Sequence, residues 1–98
     1  MERLKGSQIS ALKRMAHDLK PVVMIGKLGL TDSALEAVDR ALDDHELIKV
    51  KFVGFKEEKK ALSSLLEEKT EGVLVTLIGN IAVLYRQSRD PNKRKIRI

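Results

Sequence analysis

The chain has 98 residues and a mass of 11.0 kDa, and its 19 Lys and Arg against 14 Asp and Glu leave a formal net charge of +5 and a pI near 9.6. That length holds one domain, and 43% hydrophobic against 34% charged residues is apolar enough to enclose a core and too apolar for a disordered chain. The sequence contains no cysteine, which excludes a disulfide scaffold, a thiolate zinc site and a thiol nucleophile together.

No apolar run approaches the roughly 18 residues of a membrane span, and the opening Met1-Glu2-Arg3-Leu4-Lys5 has no signal-peptide stretch. The expectation is a soluble cytoplasmic protein with no membrane partner.

The first periodic segment opens at Ser7 as N-cap and carries Ile9, Leu12, Met15, Ala16 and Leu19 as one apolar stripe of a helix. It stops before Pro21, which disfavours helix at Lys20. Lys13, Arg14 and His17 occupy its wet face. Val22-Val23-Met24-Ile25 reads as a short strand, and Gly26-Lys27-Leu28-Gly29 as a turn. Thr31 caps a second helix, with Asp32 favourably placed in its first turn. Ala34, Leu35, Val38, Ala41 and Leu42 form its apolar stripe, and Glu36, Asp39 and Asp43 make its outer face acidic.

Leu47 to Val53 reads as a strand with Ile48, Val50 and Phe52 pointing one way and Lys49 and Lys51 the other. Gly54 breaks it. A third helix is expected over about 57–69, with Ala61, Leu62, Leu65 and Leu66 inward, ending at Gly72. Val73 to Ile78 and Ile81 to Arg86 are joined by Gly79-Asn80, a two-residue signal for a type II′ hairpin. Neither hairpin strand alternates cleanly, so both faces of the hairpin are expected to be covered, one by the first helix. The tail from Gln87 to Ile98 carries Arg89, Lys93, Arg94, Lys95 and Arg97 and little that can pack, and is expected to fray. The predicted order is helix, strand, helix, strand, helix, strand, strand. This is an α/β (α+β) domain over residues 1–86, with a four-stranded mixed sheet packed with helices and a basic tail over 87–98.

Charge is segregated. Residues 1–31 hold six basic and two acidic side chains, 32–71 seven and eleven, and 72–98 six and one. Two basic ends around an acidic middle predict a folded surface with a positive and a negative side. Phe52, Phe55 and Tyr85 are the whole aromatic complement, too few for the stacking platforms of sheet-type single-strand binders. Any nucleic-acid affinity must come mostly from phosphate contacts.

Gly26-Lys27-Leu28-Gly29 is the most informative motif. Two residues without a Cβ let the backbone approach a phosphodiester, the following helix start adds partial positive charge, and Lys27 adds a full one. By itself a glycine pair before a helix is more often only a tight turn. The catalytic alternatives are weaker still. His17 and His45 are far apart with no ligand spacing around them, so no metal site is expected. At a helix end, His45 reads as a capping and dipole contact. Asp43-Asp44, Glu57-Glu58 and Glu67-Glu68 sit among lysines on outward faces, and no nucleophile elbow, Walker loop or zincin motif occurs. The expectation is a non-enzyme that uses no cofactor and no small-molecule substrate.

Two stretches, LKRMAHDLKPVVMIGKLGLTDSALEAVDRALDDHELIKVK and VLVTLIGNIAVLYR, carry a resemblance. Together they look like the CRM domain (chloroplast RNA splicing and ribosome maturation) in its stand-alone bacterial YhbY form, over roughly residues 7–86. Its most specific pieces are Ala16-His17, Leu19-Lys20-Pro21-Val22-Val23, the loop from Gly26 to Thr31, His45 to Lys51, and Gly79 followed by Leu84-Tyr85-Arg86. The resemblance implies a fold similar to the C-terminal domain of translation initiation factor three, with a KH-like GxxG loop. It also implies an RNA-binding role in ribosome assembly beside large-subunit precursors, with ribosomal RNA as partner and ribosomal proteins as further ones. On that reading the RNA contacts are Gly26, Lys27, Leu28 and Gly29 of the loop with Lys13, Arg14, Lys20 and Arg86. Leu28 stands where the family often carries a small or polar residue, so Lys27 is expected to matter more. The alternative is a protein-interaction adaptor whose acidic helices dock a basic ribosomal protein.

Overall fold

Gly79 holds a φ of +58°, the left-handed value that a primed hairpin turn requires and that glycine adopts without steric cost. It closes β3 (Val73–Ile78) onto β4 (Ile81–Tyr85). In the computed structural model, which describes residues 4–54 and 58–98, this hairpin joins β1 (Pro21–Ile25) and β2 (Leu47–Phe52) in one sheet of order β1-β2-β4-β3. β1 and β2 are parallel, as a helical crossover demands, and the crossover is α2 (Asp32–His45). β4 runs antiparallel to both of its neighbours. The remaining helices are α1 (Gly6–Ala16) and α3 (Lys59–Thr70), and a short 3₁₀ turn spans Pro91–Lys93. The mixed four-stranded sheet and the element order are those read from the sequence.

Strand alternation divides the sheet into two faces. Ile25, Ile48, Val50, Phe52, Ala82 and Leu84 point to the side covered by α2 and α3, where Val38, Leu42 and Leu66 complete the larger core. Leu47, Val83 and Tyr85 point the other way and pack with Val75 against α1, which buries Leu12 and Ala16.

 Each hairpin strand is therefore covered on both sides over its inner half, which is why neither alternates in sequence.

Several boundaries differ from expectation. α1 begins two residues earlier, with Lys5 in place of Ser7 at its N-cap and donating its amide to Gln8 Oε1 at 2.8 Å, and it ends at Ala16 with His17 as C-cap. Leu19 thus lies beyond the helix, and both it and Met15 are exposed rather than part of the stripe. α3 starts at Lys59; the expected first residue, Glu57, lies outside the described residues. Ala61 is exposed and Leu65 half-buried, so Leu66 carries most of this helix's packing. The helix closes through Glu71, which holds a left-handed φ of +59°. Gly72 follows for a packing reason: a Cβ there would lie 3.2 Å from Thr70 Oγ1.

The largest correction concerns the tail. Residues 87–96 do not fray; they fold back along the end of α2. Glu46, fully buried at a φ of +66°, accepts the amides of Ser88 at 2.8 Å, Lys95 at 2.7 Å and Ile96 at 3.0 Å. Arg89 pairs with Asp39 and Asp43, and Lys93 with Asp44 at 2.7 Å. The cationic tail and the acidic helix face thus neutralise one another instead of forming opposite poles of the surface.

These contacts set the acid response. The hydrogen bond from Arg89 holds the Asp43 carboxyl well below its usual range. Burial pushes Asp39 and Glu46 up, but the Arg86 and Arg89 bonds on the first and the three tail amides on the second outweigh it, so both end below normal. A carboxylate with a depressed folded pKa adds stability that is fully present above its unfolded pKa, about 4, and is lost as pH falls through the folded value. Urea unfolding is therefore expected to show constant stability above about pH 5 and a steep loss below about pH 4. Asp43→Asn should flatten that acid limb; an unchanged limb would show that the tail contacts do not persist in solution.

Candidate nucleic-acid interface

The GxxG segment leaves the C-terminal end of β1 and enters α2. Gly29 donates its amide to Gly26 O at 2.9 Å, closing a tight turn, and Thr31 donates to Gly29 O at 3.0 Å. Thr31 Oγ1 then accepts from the Ala34 amide at 3.1 Å as the N-cap of α2. Gly29 needs its missing Cβ, because its φ is +72°. Gly26 does not need it for conformation. A Cβ built at either glycine meets nothing within 4 Å, so the space beside both is open to an incoming group.

The loop projects. Leu28, at its tip, is 88% exposed, and Lys27 is exposed beside it. Among the described residues, the amides of Lys27 and Leu28 donate to no protein acceptor, which leaves two unpartnered N–H groups in an exposed loop next to a cation. A concave surface of about 480 Å³ runs from Met24 past the loop to Ser33 and Ala37 on α2. Asp32 in the first turn of α2 already offsets part of the helix's positive end. An anion here would be held mainly by the loop amides and Lys27.

The other residues read from the sequence are not gathered into one cluster. Lys13 flanks a hollow shared with His17 and Lys49. Arg14, one residue on, is rotated about 100° further around α1 and is exposed. Lys20 stands just before β1 in a groove of about 400 Å³ with Met15, Leu19, Val22 and Lys95. β1 separates it from Lys27 by roughly 20 Å of extended chain. Following the chain, these four cations form a strip that runs from α1 past the start of β1 to the loop at its far end.

Arg86 is a correction. It is only 5% exposed, and its guanidinium is taken up inside the protein. Nη1 donates to Asp39 Oδ1 at 2.6 Å and to Thr70 O at 2.7 Å, and Nη2 to Asp39 O at 2.9 Å, with Asp43 Oδ1 3.1 Å away. Its burial beneath the tail, on the α2 side of the sheet, removes it from the strip. Arg86 is a structural clamp between α2, the end of α3 and the end of β4.

Sequence reading passed over Lys49 and Lys51. The alternation of β2 puts both on the face opposite Ile48, Val50 and Phe52, but a strand's own sequence does not say how much of that face α1 leaves uncovered. Glu46 was also passed over; its three amide partners lie 42 to 50 residues away, beyond the reach of any local pattern. Among the described residues no three histidine or acidic side chains converge as metal ligands.

The CRS1/YhbY (CRM) domain model matches residues 4–86. The chain belongs to the CRM domain family. A Haemophilus influenzae relative named as an RNA-binding protein is 43% identical over 91 residues, covering 92% of each chain. A Pseudomonas aeruginosa relative named as a probable RNA-binding protein is 40% identical, covering 92% of this chain and 88% of its own. The solution structure of a hypothetical protein from Staphylococcus aureus superposes with a TM-score of 0.79 at 33% identity, over 97% of this chain and 100% of that one. As a CRM domain, the chain places its glycine loop between the first strand and the second helix, where the sequence resemblance expected it.

Proposed function

We propose that this CRM domain binds RNA through the loop from Gly26 to Gly29, with Lys13, Arg14 and Lys20 holding phosphates along the adjoining strip. Its target on this reading is ribosomal RNA of large-subunit precursors in the cytoplasm, where it acts as an assembly factor and not as a catalyst. The observation that carries the reading is the pair of unpartnered loop amides beside Lys27, with open space at both glycines. That combination suits a phosphodiester approaching the main chain. The names of the relatives support the same class of ligand.

The adaptor reading is less well supported. Asp39, Asp43 and Asp44, which would receive a basic ribosomal protein, are already paired with Arg86, Arg89 and Lys93 of the same chain.

The two glycines separate binding from folding. Gly26→Asp places a carboxylate in open space at a position without a left-handed φ, so it should leave thermal stability nearly unchanged and sharply weaken RNA binding. Gly29→Ala should cost about 1–2 kcal/mol of stability through its backbone conformation, and Leu28→Ala should change binding least. Crosslinking in cells followed by sequencing of the attached RNA tests the target. Enrichment of large-subunit precursor RNA is the expected result, and recovery of unrelated RNA in its place would reject the ribosomal assignment.

A further inference from the structure

α1 covers only part of its side of the sheet. Strand register sets out two rows of side chains on this side, in which only Val83 is buried, beneath α1. Met24 lies beside Lys51, Lys51 opposite Ile81, and Ile81 opposite Ile78; in the next row Lys49 lies opposite Val83 and Val83 opposite Thr76. Met24 and Ile78 are 67% and 65% exposed. Lys49 and Lys51 stand on an inner strand, about 6.6 Å apart along it. Among the described residues neither forms an ion pair, and Lys49 Nζ reaches only the carbonyl of His17, at 3.4 Å. Where α1 meets this face, Lys13, His17, Lys49, Thr76 and Ile78 line a hollow of about 140 Å³, the space of roughly four or five liquid waters.

We propose that this uncovered sheet face, with Lys49 and Lys51 at its centre, is a second RNA-contact surface that takes an unpaired stretch of the strand held by the GxxG loop. The proposal rests on the RNA-binding reading above. Protein interfaces concentrate apolar groups at the centre, deplete lysine there and place charge at the rim. This face has the reverse arrangement, with its two lysines on the inner strand β2 and its most exposed apolar side chains, Met24 and Ile78, on the two edge strands. A single strand fits that order, because its phosphates can follow Lys49 and Lys51, which carry the affinity, while bases cover Met24 and Ile78 by apolar contact without aromatic stacking. A duplex would present its phosphate ridges and leave those apolar side chains without partners. The hollow beside α1 adds hydrogen-bonding groups from His17 and Thr76 for a base edge. The face also joins the strip directly, since Lys13 lines the hollow and Met24 borders both Lys51 and the surface around the GxxG loop.

The test uses the full chain and two labelled RNAs, a fully paired hairpin and the same hairpin with a short unpaired flank. Wild type should prefer the flanked RNA. Replacing both lysines, Lys49→Gln with Lys51→Gln, should remove that preference and lower the salt slope for the flanked RNA by about 1.4, with the unflanked RNA unaffected. Met24→Glu, at an exposed position on an edge strand, should also abolish the preference, which guards against a folding defect in the double variant. If the double variant and Met24→Glu both keep the preference while Lys27→Glu weakens both RNAs, the proposal fails and the loop reading stands. Failure of wild type to bind either RNA overturns both. If the double variant binds flanked RNA normally but loses a glutamate-leucine peptide that wild type holds, the face docks protein and the proposal is overturned.

Discussion

Replacing Arg86 by Ala is expected to lower the unfolding free energy by about 3 kcal/mol, the lower end of what breaking a buried ion pair costs. The lower end applies because Asp39 and Asp43 would keep Arg89 and are themselves only partly buried. The loss comes from three sources. Thr70 O and Asp39 O lose their donor, two carboxylates lose a cation, and the site at the junction of α2, α3 and β4 is left underfilled. For a domain of this size, that cost corresponds to a drop of roughly 12–24 °C in melting temperature. Arg86→Lys retains the charge but cannot reach all of these acceptors at once, so it should recover only part of the loss. RNA affinity measured below the variant's melting temperature should be close to wild type. A variant that melts normally but fails to bind RNA would return Arg86 to the interface.

Removing the charges of Lys13, Arg14, Lys20 and Lys27 together should produce the opposite pattern. All four are exposed, and among the described residues none forms an ion pair, so replacement by Gln should leave unfolding within about 0.5 kcal/mol per site of wild type. Binding should fall, and the fall should be largest at low salt. Each phosphate contact contributes about 0.7 to 0.9 to the slope of log affinity against log salt, so losing four should flatten it by about 3. The strip geometry predicts that single replacements act additively, because the residues share no partners and Lys20 and Lys27 lie at opposite ends of β1. An unchanged salt slope in the quadruple variant would mean that phosphates are contacted elsewhere.

Local pattern was enough for the sheet and the helices. The Gly79-Asn80 turn, the Thr31 cap and the alternation of Ile48, Val50 and Phe52 each act within a few residues, and each appears in the structure as read. The glycine loop was legible for the same reason, since its turn closes within four residues. Arg86 and the tail were misread because their partners are distant. An arginine ending a strand resembles an exposed cation until Asp39, 47 residues away in sequence, is brought beneath it. A basic tail without apolar periodicity resembles a frayed end until Glu46 offers it a buried carboxylate. Met15 and Leu19 show the converse error: apolar spacing extended the helix stripe past Ala16, and the structure turns both side chains into an open groove with Lys20. Lys49 and Lys51 were placed on the correct face, but the extent of α1's cover is a property of packing and not of any strand's own sequence.

The proposed mode of RNA binding depends most on the main chain at the glycine loop meeting a polyanion. Titrating isotope-labelled protein with a ribosomal RNA hairpin and following backbone amide shifts by NMR tests this directly. The amides of Lys27, Leu28 and Gly29 should move first and furthest, while those of Asp39, Asp43 and Asp44 on α2 stay in place. If the α2 amides shift and the loop amides do not, the loop is only a turn and the account is wrong.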